Sequence, residues 1–542
     1  MESQTEVLIA GAGPVGLALG LELQRFGIRF RIVEKKAERS KTSKALGLQP
    51  RLSEVFAILG IKAEFDARGF GDIRAVNFHS GRKKLLRIAL QAPADQAGRD
   101  ACQPQLLVIP QSDTEEILER TLASRGYVVE RRRELIGFAQ DRDRVRAVVS
   151  SEIGGEETVA AQYLVSCEGA HSVIRKQAGF SFAGTTMPMR FVLADVAIDW
   201  ARPENEVQVW FHRNGVMGVL PFGGQEWRLI IECAPEPSTE PEEVTLSLVQ
   251  RLVAERIGAE IAIRSPVWLS DFRINARMVD RFRDRRIFVA GDAAHIHSPL
   301  GGQGIATGIQ DAGNLAWKLA AVLRDGAPDS LLDTYEEERK PIARDVLRGT
   351  TAASRLVFAM NPILRFIRER IVFPILGTQF VQSRLFRKVS QLELKYRGTL
   401  TELSSPGAFI RAGARAPDVV FRNEGGNVSL FELLGTFGLI VLLGPGETSP
   451  ATVDSLAALG IRAFIVAPRH LEDVYSDFTR LYRVQGSFLY LIRPDGHIGL
   501  FQARLDPASL ADYLKMIRAS RRVDRAFPGI VVIPRRASPP SR

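Results

Sequence analysis

Two glycine-rich stretches, far apart in the chain, carry the residue types that could do chemistry. The first is GAGPVG (11–16), with Gly11, Gly13 and Gly16 at GxGxxG spacing directly after the apolar run EVLIA. Gly11 permits a tight turn, Gly13 lets backbone approach a pyrophosphate, and Gly16 allows close helix–strand packing. Pro14 suits the first turn of a helix. That helix would present N–H groups and a positive dipole end to phosphate. Glu34 closes the next apolar run, RFRIVE, where a carboxylate can accept both ribose hydroxyls. This is dinucleotide-binding chemistry, and the motif alone does not separate FAD from NAD.

The second stretch, GDAAHIHSPLGGQG (291–304), offers two readings. His295 and His297 lie two apart, so an extended segment would turn both to one face, as a metal site beside Asp292 would require. A mononuclear site needs three or four converging ligands, and the chain has seven histidines with no HExxH or CxxC. The histidines are therefore read as packing or hydrogen-bonding groups beneath a loop, with no metal. In that reading Pro299, Gly301, Gly302 and Gly304 open a helix near Gln303. A second glycine loop this far from the first calls for a long ligand, and FAD is long enough to need one. Asp292 can accept hydrogen bonds from ribityl hydroxyls. Backbone N–H groups around 302–305 can face the flavin pyrimidine, where the helix dipole stabilises negative charge.

Several elements must position these loops. Residues 5–34 read strand–turn–helix–strand, a βαβ unit of the expected size. Helices are expected at 51–60 and 111–126, β-hairpin or loop structure over 73–109, and strands near 127–130, 143–151 and 157–166. From 181 to 275 short strands with turn signals predict a mainly antiparallel sheet, interrupted by a helix at 242–257. RIFVAGD (286–292) returns to a buried strand, with a long helix at 303–324. Residues 330–396 read as helix, and SSPGAFIRAGARAPD (404–418) has linker composition. A second α/β pattern ends in a helix at 507–518.

The bulk numbers narrow the class. An apolar share of 45% and a charged share of 25% over 542 residues fit a globular chain of several domains. A net charge of +10 without a basic stripe interleaved with aromatics argues against nucleic acid. Cys102, Cys167 and Cys233 form neither a disulfide framework nor a CxxC pair. With no signal peptide read at the N-terminus, a cytoplasmic location is expected. Apolar runs such as FGLIVLLG are too short to span a bilayer. Residues 356–380, apolar but broken by Arg365, Arg368, Glu369 and Arg370, read as amphipathic helix packed on the protein.

GAGPVGLALGLELQRFGIRFRIVEK, CEGAHSVIRK (167–176) and GDAAHIHSPLGGQGIATGIQDAGNLAWKLA (291–320) resemble the three signature segments of the class A FAD-dependent aromatic monooxygenases. These share the para-hydroxybenzoate hydroxylase fold. TSKALGLQPRLSEVFAILGI, IPQSDTEEILERTL, LLDTYEEERKPIA and SQLELKYRG are similar to the phenol and polyketide hydroxylase branch. The segment through LIRPDGHIG resembles its C-terminal thioredoxin-like domain. The fold class implied is α/β: a Rossmann-type FAD-binding domain with an inserted, mainly antiparallel substrate sheet, plus a thioredoxin-like α/β domain. The expected boundaries are 1–180 and 276–350 for FAD binding, with 181–275 (and part of 73–109) for substrate. A helical connector at 351–403, a thioredoxin-like domain at 404–520 and a basic tail at 521–542 complete the plan.

The resemblance implies that Gly11, Gly13, Pro14, Gly16 and Glu34 hold the ADP half of FAD. It sets Lys44, Arg51 and Gln111 near the pyrophosphate and ribityl chain and Asp292 on the ribityl. Pro299, Gly302, Gly304 and Ile305 fall beside the isoalloxazine. Two residues depart from the pattern: Glu168 replaces an aspartate associated with FAD and NAD(P)H, and Ala306 replaces a common asparagine next to the flavin. Lys44 replaces a frequent arginine with its charge kept. The implied reaction uses NADH or NADPH as a transient donor to reduce FAD. O2 then adds at the flavin C4a, and the hydroperoxide hydroxylates a phenolic or polycyclic, polyketide-like ring. Baeyer–Villiger insertion on the same fold, or a FAD-binding scaffold with degraded turnover, are the alternatives. Trp210, His212, Phe222, Trp227 and Arg228 either line an aromatic-substrate cavity or pack within the sheet, and Arg190 is undecided. No general base can be named. The C-terminal part has no cysteine and is read as a structural or homodimer-contact element.

Overall fold

The computed structural model describes residues 2–40, 46–90, 106–151, 154–233, 242–258, 261–358, 361–404, 408–445, 450–468, 470–484 and 486–527. Lys44, Cys102, the 91–105 part of the 73–109 segment and the tail from 528 onward lie outside the described residues. The chain divides into two compact units. The first comprises the described residues within 1–98, 103–313 and 339–394; the second comprises 314–338 and those from 395 on.

In the first unit β1 (Glu2–Ala10) leads into α1 (Pro14–Arg25) and β2 (Phe30–Glu34). There follow α2 (Pro50–Ile58), the hairpin β3 (Ala75–Ser80) and β4 (Lys83–Ala89), α3 (Gln111–Ser124) and β5 (Val129–Arg131). Next come β6 (Gly155–Ser166) and the short α4 (Val173–Gln177). The antiparallel run is β7 (Phe182–Ile198), β8 (Glu206–His212), β9 (Gly215–Gly223) and β10 (Glu226–Cys233). Helix α5 (Leu246–Ile257) precedes β11 (Ile263–Val279), and β12 (Ile287–Val289) precedes α6 (Gly304–Asp325) and α7 (Asp333–Val357).

One eight-stranded sheet has a parallel core, β12–β6–β1–β2–β5, to which Arg283–Asp284, Val145–Ser151 and Arg133–Gln140 add antiparallel strands. The end of β1 and the whole of β12 read as continuous apolar runs because both faces are covered there. Val7, Leu8 and Ile9 of β1 and Ile287, Phe288 and Val289 of β12 are fully buried. Helix α1 packs tightly on this sheet through small residues: a Cβ at Gly20 would lie 2.9 Å from the Ile32 side chain.

The second sheet runs β11–β7–β10–β9–β8–β3–β4, antiparallel except where β3 joins β8 in parallel. The 73–89 hairpin thus belongs to the sheet built mainly from 181–279. Alternation divides the sheet into two apolar faces. One, with Trp210, Met217, Trp227 and Leu229, meets Leu248, Val249 and Val253 of α5. Burial of such side chains contributes roughly 1.5–3 kcal/mol each. Thr245 caps α5 by accepting the Leu248 N–H, and Gly258 in the left-handed region ends it.

Beyond α7 the first unit continues as helix from 362 to 389. It comprises α8 (Pro362–Ile367), a π turn at Arg368–Val372, α9 (Phe373–Leu376) and α10 (Gln379–Val389). The second unit holds a four-stranded sheet of β13 (Ile440–Leu443), β14 (Arg462–Ile465), β15 (Leu489–Ile492) and β16 (Ile498–Gln502). Its order is β14–β13–β15–β16, with β13 and β14 parallel and the last two antiparallel. Residues 408–418, linker-like in composition, bridge to this sheet through Arg415 and His497.

Candidate active site

The two glycine loops meet. Gly11, at φ +100°, brings the end of β1 against the end of β6: a Cβ there would sit 2.5 Å from the Cys167 carbonyl oxygen. A Cβ at Gly16 would lie 2.0 Å from the Gly11 oxygen, so the first turn of α1 closes on its own loop. Val15, between them, reaches the second loop. Its side chain lies 2.7 Å from a Cβ at Gly291 and 2.6 Å from one at Gly308. Gly308 was not singled out from the sequence, although GIATG carried the signal of close approach.

Glu34 sits at the tip of β2, half-buried. Its carboxylate accepts the Ala12 N–H at 2.8 Å and the Lys36 N–H at 3.0 Å. Beyond it a cavity of about 710 Å³ opens, lined among others by Arg39, Ser40, Ser112, Glu119 and Arg131. Arg39 and Arg131 both pair with Glu119 there.

Gly13 has no side-chain cap to offer α1, and a Cβ at Gly13 would meet nothing within 4 Å. The helix start therefore faces open space. Asp292 lies exposed in a short 3-10 turn, Gly291–Ala293, that follows β12. The turn is held from below: the Gly291 N–H donates to Asp311, which also binds His295 Nε2 at 2.7 Å and Arg339 Nε at 2.8 Å. Burial of Asp311 opposes its ionisation, but the His295 and Arg339 charges outweigh it and hold the carboxyl low. His295 is thus a support. His297 donates from Nδ1 to the Ser298 carbonyl at 3.0 Å, and its Nε2 is buried without a partner. Burial pushes the His297 imidazole down to about 4, so it is neutral. Among the described residues no group of three or more His, Cys, Asp or Glu side chains is arranged to hold a metal ion.

Pro299 accepts the Gly302 N–H at 2.9 Å, and Gly301 and Gly302 both take left-handed backbone conformations. Gln49, unremarked in the sequence, fixes this turn by donating to the Gly301 carbonyl at 2.5 Å. Gly304 starts α6, followed by half-buried Ile305 and fully buried Ala306. The Ala306 carbonyl accepts from Gln310, which also bonds Gln391.

Glu168 folds back on its own segment. It accepts from Ser172 Oγ at 2.7 Å, Ser166 Oγ at 3.0 Å and the Ile174 N–H at 3.1 Å, closing the start of α4. Arg175, also unremarked, donates to the Ala170 and Ala293 carbonyls and ties CEGAH to GDAAH. Arg51 is buried and ion-paired with Glu54, and Gln111 donates to Glu115 within α3. Both are engaged inside their own helices.

On the antiparallel sheet the five candidate aromatic and basic residues divide between faces. Trp210 and Trp227 lie in the core under α5, and His212 turns the same way, 3.3 Å from Arg256 of that helix. Phe222 and Arg228 face away from α5. Arg228 makes a two-pronged pair with Asp195 and lies 5.3 Å from the Phe222 ring. Arg190 pairs with Asp271.

The FAD binding domain family matches residues 4–350. The chain belongs to this family. It is 36% identical to a flavin-dependent monooxygenase of Mycobacteroides abscessus, over 91% of this chain and 96% of that one. It is 33% identical to a Streptomyces rimosus enzyme named 12-dehydrotetracycline 5-monooxygenase/anhydrotetracycline 6-monooxygenase, over 91% and 94% of the two chains. A solved anhydrotetracycline hydroxylase from Streptomyces rimosus has the same fold, with a TM-score of 0.76 at 30% identity, covering 95% of this chain and 99% of that one. The protein is an FAD-dependent monooxygenase, and its loops fit that cofactor. The clearance around a Cβ at Gly13, the α1 start without a side-chain cap and the neutral His297 beside Gly304 suit a bound cofactor.

Proposed function

We propose that this monooxygenase hydroxylates a phenolic or polycyclic aromatic ring, taking electrons from NADH or NADPH and oxygen from O2. The meeting of the two glycine loops around Val15 carries this reading, because it brings both halves of a long cofactor's cradle to one place. Bound FAD would supply the electron transfer and oxygen activation. Gly11, Gly13 and Gly16, with the N–H groups of α1, would hold its pyrophosphate, and Glu34 its ribose. Asp292 would hold the ribityl, and Pro299, Gly302, Gly304 and Ile305 the ring.

Ala306 leaves an apolar first turn on α6, which suits a ring held away from water. Phe222, with Arg228 fixed by Asp195, offers an aromatic and apolar wall to a planar substrate. The tetracycline substrates named for two of the relatives support a polycyclic class. The second unit reads as thioredoxin-like, a reading supported by its strand order. With no cysteine after Cys233, the part of the chain from 395 on does no thiol chemistry. A cytoplasmic location suits the sparse, widely spaced cysteines.

The test is purification followed by substrate screening. Yellow holoenzyme should consume NADH or NADPH faster with a matching phenolic or polycyclic compound. Mass spectrometry should then find one added oxygen, as a new hydroxyl on an intact ring. A ring-expanded lactone would replace hydroxylation by oxygen insertion. Bound FAD that neither nicotinamide reduces, with any compound, would overturn the reading.

A further inference from the structure

Residues 355–389 combine exposed apolar side chains with a strong local charge. Seven basic residues stand against one acidic residue there, a net +6 out of +10 for the whole chain. Along the helix from 362 to 376, about 22 Å long at 1.5 Å per residue, the π turn at 368–372 resets the phase of the side chains. Arg368 and Phe373 point inward. Arg368 lies 3.8 Å over the Phe211 ring of β8 and donates to the Val357 carbonyl. Phe373 packs on Phe78 and Phe211. The helix is therefore anchored to the face of the substrate sheet that also carries Phe222.

The outward residues are Ile363, Leu364, Phe366, Ile371 and Ile375, joined by Phe380 of α10. Ile363 and Phe380 are 69% exposed and Phe366 62%. Elsewhere among the described residues large exposed apolar side chains are scattered singly, as is ordinary, whereas six within eighteen residues form a patch. Arg365, Arg370, Arg384 and Lys388 border it, and among the described residues no carboxylate pairs with them. Arg387 pairs with Glu393.

We infer that this patch docks on an anionic membrane surface. The charge decides the occupant. A second copy in an isologous contact would set this net-positive patch against the identical patch of its partner, which repels. An anionic lipid surface neutralises the rim while the apolar side chains enter the headgroup boundary. No helix among the described residues is long and apolar enough to cross a membrane, so the attachment is peripheral. It would bring the substrate sheet to a phase in which polycyclic rings dissolve; that consequence, unlike the docking, rests on the proposed substrate class.

The experiment is flotation of the full-length holoenzyme with vesicles of phosphatidylcholine, alone or mixed with phosphatidylglycerol. The enzyme should float with the mixed vesicles, not with phosphatidylcholine alone, and should detach in high salt. Phe366→Ser with Phe380→Ser should weaken vesicle binding about tenfold or more. Arg370→Glu with Arg384→Glu should abolish the preference for anionic lipid. Each variant should keep its yellow colour and circular dichroism, since the altered side chains are exposed. Failure to float, or flotation unchanged in both variants, overturns the inference. So does a sedimenting dimer that the phenylalanine variant dissociates, because a second copy would then cover the patch. Turnover is not read, so a wrong substrate class leaves this result intact.

Discussion

Gly13 and Gly16 belong to one motif, yet a methyl group would meet nothing within 4 Å at the first and the Gly11 oxygen at 2.0 Å at the second. Gly13→Ala should leave the apoprotein's unfolding free energy in urea within about 0.5 kcal/mol of the parent, while FAD affinity falls about tenfold or more as the methyl enters the pyrophosphate's space. Gly16→Ala should cost roughly 1–3 kcal/mol of stability even without cofactor, because the turn must open. Urea unfolding of the apoproteins and FAD titration by fluorescence quenching separate the two. Equal loss of apoprotein stability in both would sink the distinction. The close approaches at Gly11 and Gly16 were legible in the sequence because backbone crowding at a tight turn is local. The supports were not. Gln49 reaches Gly301 across 252 positions and Arg175 reaches Ala293 across 118, and no periodicity announces such pairs. Glu168 shows the same limit: its replacement of aspartate was visible, but not that the longer side chain closes on Ser166, Ser172 and Ile174.

At the scale of the element, short strands with turn signals between them announced the antiparallel sheet, and only the fold tells which face is which. Trp210, His212, Phe222, Trp227 and Arg228 looked alike as candidates. Position of α5 over one face sends Trp210, His212 and Trp227 to it, and leaves Phe222 and Arg228 opposite. Strand β10 shows the consequence at Glu232, next to Ile231 of the α5-facing core. Its carboxylate, almost fully buried, accepts the Val216 N–H at 2.9 Å. Burial pushes it up to about 7, against the pull of that N–H and the Arg256 charge. The fold therefore favours the protonated form. That stabilising contribution is whole below the unfolded value of 4.5 and is lost as pH rises through about 7. Glu232→Gln, uncharged throughout, should escape the loss and gain on the parent between pH 5 and 8, by at most about 3 kcal/mol. Urea midpoints across that range check it. A gap between variant and parent that stays flat with pH would show that Glu232 is not the titrating group.

For the molecule as a whole, the order of signature segments revealed the FAD-binding plan. The division into units was harder to read, because α6 and α7 each contribute residues on both sides of it. In the second unit Glu338 accepts from Lys318 Nζ at 2.7 Å and from Arg493 Nη1 at 2.6 Å, and Arg493 also bonds Asp495 at 2.7 Å. Asn314 donates to both carboxylates. Residues from three separate stretches thus share one buried ionic cluster, and helical periodicity would assign apolar residues to such positions. A buried cluster of this kind is weak evidence of net stabilisation, since desolvation consumes much of the attraction, but removing one member strands the others. Burial alone would raise the Glu338 carboxyl; the Arg493 and Lys318 charges outweigh it and hold it at about 2. Its contribution is therefore present above the unfolded value of 4.5 and is lost as pH falls toward 2. Glu338→Gln leaves Lys318 and Arg493 without their common anion and should cost about 3–5 kcal/mol near pH 7. Lys318, already brought down to about 8 by burial, should drop further and release its proton near neutrality. Unfolding in urea at pH 7 and at pH 3 tests both parts. The deficit of the variant should be large at the first pH and shrink at the second, where the parent's carboxylate begins to protonate. A variant as stable as the parent at pH 7 would mean that the cluster is replaceable, and that apolar packing of the four-stranded sheet alone holds this unit together.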